Sequence, residues 1–109
     1  MKNETMESLY AVVKDRQANP SEGSYTCYLF EQGLDKILKK VGEESAETII
    51  AAKNDDNTLL CGEICDLLYH LTVLCAQKGL DISDVMEELD RRSQKIGNLK
   101  QMKKVDRNT

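Results

Sequence analysis

Leu34 to Lys78 reads LDKILKKVGEESAETIIAAKNDDNTLLCGEICDLLYHLTVLCAQK, two helix-long stretches divided by the breaker-rich run Asn54-Asp55-Asp56-Asn57. The first holds Glu44 and Glu47, the second Glu63 and Asp66, each pair three residues apart. On an α-helix that spacing puts both carboxylates of a pair on one face. The breaker run predicts that the two helices fold back as an antiparallel hairpin. Glu44 and Asp66 lie eleven residues on either side of Asp55, and Glu47 and Glu63 lie eight. In such a hairpin the four acids arrive at two shared levels. Four carboxylates so close repel one another, and desolvation adds to the cost, unless a cation sits among them. All-oxygen ligation suits Mg²⁺ or Mn²⁺, and Mg²⁺ usually reaches such sites together with phosphate.

The rest of the chain reads as further helix. Met6, Leu9, Tyr10 and Val13 recur at helical spacing and predict a helix over residues 5–17, ending near Ala18-Asn19-Pro20. Ser24 can cap a short helix through Glu31, which Gly33 breaks. On the helix from Leu34 to Lys53, the apolar face is read as Leu34, Ile37, Leu38, Val41, Ser45, Ile49 and Ala52. Gly42 inside it costs up to ~1 kcal/mol relative to Ala, which suggests a close approach of backbone or ligand. From Asn57 to Lys78 the stripe is Leu60, Ile64, Leu67, Leu68, Leu71 and Leu74, closed by Gly79. Ser83 is expected to cap a last helix to about Lys95, with Val85, Met86 and Leu89 turned inward. The polar, basic segment 96–109 is expected to fray.

At 109 residues, with 6 Gly, 1 Pro and 31% charged residues, the chain reads as one all-α domain of four to five helices, its core over about 5–95. The net charge of −4 argues against nucleic acid as the main partner, but allows a phosphorylated small molecule held by metal and local lysines. There is no apolar leader, and no uninterrupted apolar run of spanning length, so a cytoplasmic protein is expected. Cys27, Cys61, Cys65 and Cys75 lack paired knuckle spacing and are expected as core thiols.

Lys36, Lys39 and Lys40 stand one to two turns ahead of the acids, with Lys36 and Lys40 along the acidic face, suited to clamp an anion. Ser24-Tyr25-Thr26 opens a helix, whose first amides suit phosphate, although hydroxyls there are commonly just caps. His70, the sole histidine, reads as a satisfied, partly buried residue, or else an orienting or phosphate contact. Glu-x-x-His pairs, a P-loop and a nucleophile elbow are all missing.

These blocks together resemble the phosphoribosyl-ATP pyrophosphohydrolases of histidine biosynthesis, within the MazG-like all-α nucleotide pyrophosphohydrolases. The likeness runs from about Leu9 to Arg92. It is carried by Arg16 before Pro20, Ser24-Tyr25-Thr26, Leu29-Phe30, Gly33, Lys36 through Glu44 with Glu47, and Glu63 with Asp66 through Leu71. The E-x-x-E…E-x-x-D pattern marks only the superfamily. The Ser-Tyr-Thr block joined to the lysine-rich run is more specific. Ser45 stands where a small apolar residue is expected, and Gly62 is unusual beside Glu63.

The resemblance implies a Mg²⁺-dependent hydrolase converting phosphoribosyl-ATP to phosphoribosyl-AMP and pyrophosphate. It implies Glu44, Glu47, Glu63 and Asp66 as metal ligands, and Glu43, with Glu47, as catalytic carboxylates. Glu43 would serve as a further ligand or as the base. Arg16, Ser24, Tyr25, Thr26, Lys36, Lys39 and Lys40 are implied as contacts to phosphates and the phosphoribosyl group. A stand-alone chain acting as a homodimer is expected, its second copy completing the bundle. The rival expectations are a MazG-like enzyme acting on ordinary nucleoside triphosphates, and a non-catalytic metal-binding helical interaction module.

Overall fold

The computed structural model describes residues 4–95 as five α-helices, with no strand among the described residues. They are α1 (Thr5–Ala18), α2 (Tyr25–Gln32), α3 (Leu34–Lys53), α4 (Asn57–Lys78) and α5 (Ile82–Ser93). The all-α expectation holds, and the bounds read for α3 and α4 are the observed ones. The expected tail, 96–109, lies outside the described residues.

Local chemistry explains each boundary. The Ser24 hydroxyl accepts from the Cys27 amide and starts α2. Gly33, at φ 93° and ψ −173°, lets α2 stop and α3 begin within one residue, a conformation essentially restricted to glycine. Between α3 and α4, Asp55 takes the left-handed conformation (φ 58°), which Asp tolerates, and Asp56 caps α4 by accepting from the Leu59 amide at 3.0 Å. Gly79 ends α4 in the left-handed region, while the Leu80 amide donates back to the Cys75 carbonyl at 2.8 Å. The cap of α5 is Asp81, not Ser83. Its carboxylate accepts from the Ser83 amide at 2.9 Å, which places Ser83 inside the first turn.

The α3–α4 hairpin is the most extensive helix pairing, and α1 and α2 pack across one end of it. The core there comprises Val13, Leu29, Ile37, Val73 and Ala76, with Leu9, Tyr10, Phe30, Tyr69 and Leu74 against it. The Tyr10 hydroxyl donates to the Leu80 carbonyl at 3.0 Å and ties α1 to the α4–α5 turn. Covering only one end changes which residues are inside. On α3 the buried positions are Ile37, Glu44 and Ala51, whereas Leu38 and Ile49 of the expected apolar face are exposed, Ile49 by 64%. On α4 the buried side chains are His70, Thr72, Val73 and Ala76, and Ile64 and Leu68 are exposed. Cys61 and Cys65 lie on that open face rather than in a core, and Leu89 of α5 is exposed too.

Helix α4 is by length and mean hydropathy (1.6) apolar enough to cross a membrane, with 22% of that span buried. Glu63, Asp66 and the buried His70 on the same helix instead face chemistry that involves α2 and α3. Its apolarity is that of a hairpin helix with Ile64 and Leu68 exposed on its outer face.

Neither Gly42 nor Gly62 is explained by crowding, since a Cβ added at either would meet nothing within 4 Å. The close approach inferred for Gly42 is absent among the described residues. Gly62→Ala is therefore expected to stabilise the protein by roughly 0.5–1 kcal/mol, through helix propensity alone. The check is a higher urea midpoint at unchanged slope. A lowered midpoint would show that something outside this chain seats against α4 there.

Candidate metal centre

The hairpin brings the acids together as its register requires. Carboxylate oxygens of Glu44, Glu63 and Asp66 all lie within 4.8 Å of one another. Glu44 is only 6% exposed, Glu63 is half-buried and Asp66 lies open at the rim. One oxygen of Glu44 and one of Glu63 are buried with no hydrogen-bond partner. Buried carboxylate oxygens without a donor are costly, so this arrangement fits a cation-binding cage better than a structural network. Glu47 is exposed, and its carboxylate acts on both Glu44 and Glu63.

The electrostatics follow. Burial first, then the Glu47 carboxylate and Asp66, raise the pKa of Glu44 against the opposing pull of Lys40. A hydrogen bond with Glu47, then desolvation and the charges of Glu47, Glu44 and Asp66, push Glu63 up to about 7. The four oxygen-donor residues, crowded and short of counter-charge, fit a hard divalent cation such as Mg²⁺ or Mn²⁺.

The lysines divide. Lys40 pairs with Glu43 at 3.4 Å. Partial burial opposes its charge, but Tyr25, Glu43 and Glu44 outweigh that and hold the ammonium above its usual range. It thus stands at the edge of the acid cluster. Lys36 lies 5.9 Å from the centre of the Tyr28 ring, a cation–π contact on the flank. Lys39 is exposed on α3. Arg16 sits elsewhere, in contact with Asp15 at 3.0 Å and lining a hollow with Gln17, Pro20, Ser21 and Cys27.

The hydroxyls of the Ser24–Thr26 turn are largely engaged inside the protein. Ser24 caps α2, Tyr25 meets His70 Nε2 at 3.0 Å, and Thr26 hydrogen-bonds the Tyr69 hydroxyl. The ring of His70 is 4% exposed, and its Nδ1 lies 2.7 Å from the Asp66 carbonyl oxygen. His70 is thus satisfied on both nitrogens, and it links the turn that carries Asp66 to α2. Two features escaped the sequence reading. One is the Tyr69–Thr26 bond, which needs the packing of α2 on α4. The other is Cys27, whose thiol accepts from the Ser21 amide at 3.3 Å and donates to the Arg16 carbonyl at 3.4 Å, fastening the loop to the end of α1. Hydrogen bonds from Ser24 and Ser21 hold that thiol below its ordinary range.

Comparison with known proteins places the chain among named relatives. A family model described as phosphoribosyl-ATP pyrophosphohydrolase matches residues 6–93. The phosphoribosyl-ATP pyrophosphatase of Clostridium acetobutylicum is 55% identical over 92% of this chain and 91% of that protein. Its counterpart in Limosilactobacillus fermentum is 60% identical over 80% of this chain and 82% of that protein. The histidine biosynthesis bifunctional protein HisIE of Caldanaerobacter subterraneus is 52% identical over 84% of this chain, which spans 45% of that larger protein.

Proposed function

Because this chain belongs to the phosphoribosyl-ATP pyrophosphohydrolase family, and is thereby a hydrolase, we propose that it cleaves phosphoribosyl-ATP with Mg²⁺ to phosphoribosyl-AMP and pyrophosphate. One observation carries the reading: three carboxylates within 4.8 Å, two with orphaned buried oxygens, next to Lys40 at the edge of the same cluster. Glu44, Glu47, Glu63 and Asp66 would hold the cation, which, when bound, supplies positive charge to the polyphosphate and acidifies a water molecule.

The remaining work falls to side chains of the chain itself. Lys40, with Lys36 and Lys39 further along α3, neutralises charge that builds on the pyrophosphate leaving group. Glu43 is exposed and oriented by Lys40, and its carboxylate is assigned to take the proton of the attacking water. The water oxygen bonds to the α-phosphorus as the bond from that phosphorus to the bridging oxygen breaks, and pyrophosphate leaves on the lysine side. Arg16 is assigned to the outer, phosphoribosyl end, away from the acids.

A homodimer belongs to the same proposal. Leu38 and Ile49 of α3 and Leu59, Ile64 and Leu68 of α4 are exposed large apolar side chains, which a second copy would cover. The deciding assay is pyrophosphate release with Mg²⁺ from phosphoribosyl-ATP set against dATP, dCTP and dUTP. We expect phosphoribosyl-ATP to be preferred by at least about 100-fold in kcat/KM. Preference for a plain nucleotide would replace this reading with the broader triphosphate pyrophosphohydrolase.

A further inference from the structure

We propose that Tyr25 selects a ribose hydroxyl of the substrate, and that His70 is the positioning residue that makes it an acceptor; the inference rests on the function proposed above. The argument concerns where protons must be. A backbone carbonyl only accepts, so the 2.7 Å contact between the Asp66 oxygen and His70 Nδ1 requires the hydrogen on Nδ1. In the neutral ring Nε2 is then an acceptor. Tyr25 Oη lies 3.0 Å from it and must donate. The two rings meet edge to face, their centres 5.8 Å apart at 81°, and His70 is 4% exposed, so the imidazole is held in this orientation.

The phenol proton is therefore spent inside the protein, while Tyr25 as a residue remains 45% exposed. What Tyr25 offers to an incoming molecule is an oxygen with lone pairs and no hydrogen. Ionised phosphate oxygens also lack hydrogens, and two acceptors facing each other repel. This narrows the expected contact of Tyr25 with phosphates and the phosphoribosyl group to a sugar hydroxyl. A sugar hydroxyl carries the donor that such an oxygen needs. Tyr25 also sits within electrostatic reach of Lys40, at the edge of the carboxylate cluster. The group next to a nucleotide's phosphate chain is its ribose, and the base lies one sugar further on. Since His70 hangs from the carbonyl of Asp66, the acceptor is built on the same turn of α4 that contributes to the carboxylate cluster. Sugar and polyphosphate would thus be set in register by one helical turn.

The experiment is an enzyme-by-substrate cycle at pH 8 with Mg²⁺ present. Phosphoribosyl-ATP and analogues lacking each ribose hydroxyl in turn are assayed on wild type, Tyr25→Phe, His70→Phe and His70→Gln. For one hydroxyl, its removal is expected to cost wild type about tenfold in kcat/KM, mainly through KM, and Tyr25→Phe less than about twofold. His70→Phe should behave as Tyr25→Phe does. His70→Gln, which keeps one donor and one acceptor, should recover the discrimination. Deoxy analogues penalised equally in wild type and Tyr25→Phe overturn the proposal. So does undiminished discrimination in His70→Phe. If His70→Phe does not fold, the Tyr25→Phe arm, changed at a residue that is only half-buried, decides alone. Wild type inactive on phosphoribosyl-ATP itself would overturn the functional reading, and this inference with it.

Discussion

Glu44→Gln and Asp66→Asn are each expected to lower turnover by on the order of 10³-fold while leaving the metal-free protein as heat-stable as wild type or more so. The two effects have one origin. Glu44 is buried among Glu47, Glu63 and Asp66, and its pKa is raised by burial and by those carboxylates. An uncharged isostere removes a repulsion that the empty fold must carry, while it also removes a cation ligand. Structural acids behave in the opposite way, because loss of a paired charge destabilises. Melting temperature in a chelator and steady-state turnover in Mg²⁺ separate the alternatives. A folded Asp66→Asn that keeps full turnover would mean that the carboxylates are structural, and the cation site would fall.

The second large effect is on the pH dependence of stability without metal. Glu63 in the folded chain is pushed up to about 7, against an ordinary value of 4.5. Between those values the folded state holds a proton that the unfolded state has released. Glu63 therefore contributes stability that is fully present below pH 4.5 and is lost as pH rises through about 7. At the acid end Glu88 acts the other way. Hydrogen bonds from Arg91 and then Arg92 hold it at about 2, so its contribution is present above 4.5 and lost as pH falls towards 2. In chelator, urea midpoints should thus peak at about pH 5 and decline towards pH 8. Mg²⁺ should restore the loss at pH 8, where the carboxylates are ionised and free to ligate, and should do little at pH 5. A midpoint that stays level from pH 5 to 8 in chelator would contradict the crowding of Glu63, and no recovery with Mg²⁺ at pH 8 would contradict the cation site.

Much of this was open to a reader of the chain alone. The bounds of α3 and α4 follow from apolar periodicity and from the breakers at Asn54–Asp56 and Gly79, all local effects. The meeting of Glu44 with Glu63 and Asp66 follows from counting outward from Asp55, because one tight turn leaves an antiparallel hairpin little choice of register. The cap of α5 was misjudged for a local reason: Asp81 and Ser83 both suit the position, and only the backbone path after Gly79 selects the first.

What the sequence determined by itself, then, is the set of helices and the level at which the acids meet. Tertiary structure decided the rest, since it alone sets which side of each helix is covered. With α1 and α2 packed on one end of the hairpin, Val73 and Ala76 became core, and Leu38, Ile49, Ile64 and Leu68 were left outside. The same packing carried Tyr25 on α2 to His70 on α4, across 45 residues of chain. Periodicity reports a stripe, but a proton is assigned only when its partner's position is known. That is why the carboxylates were legible in advance and the polarity of the Tyr25 hydroxyl was not.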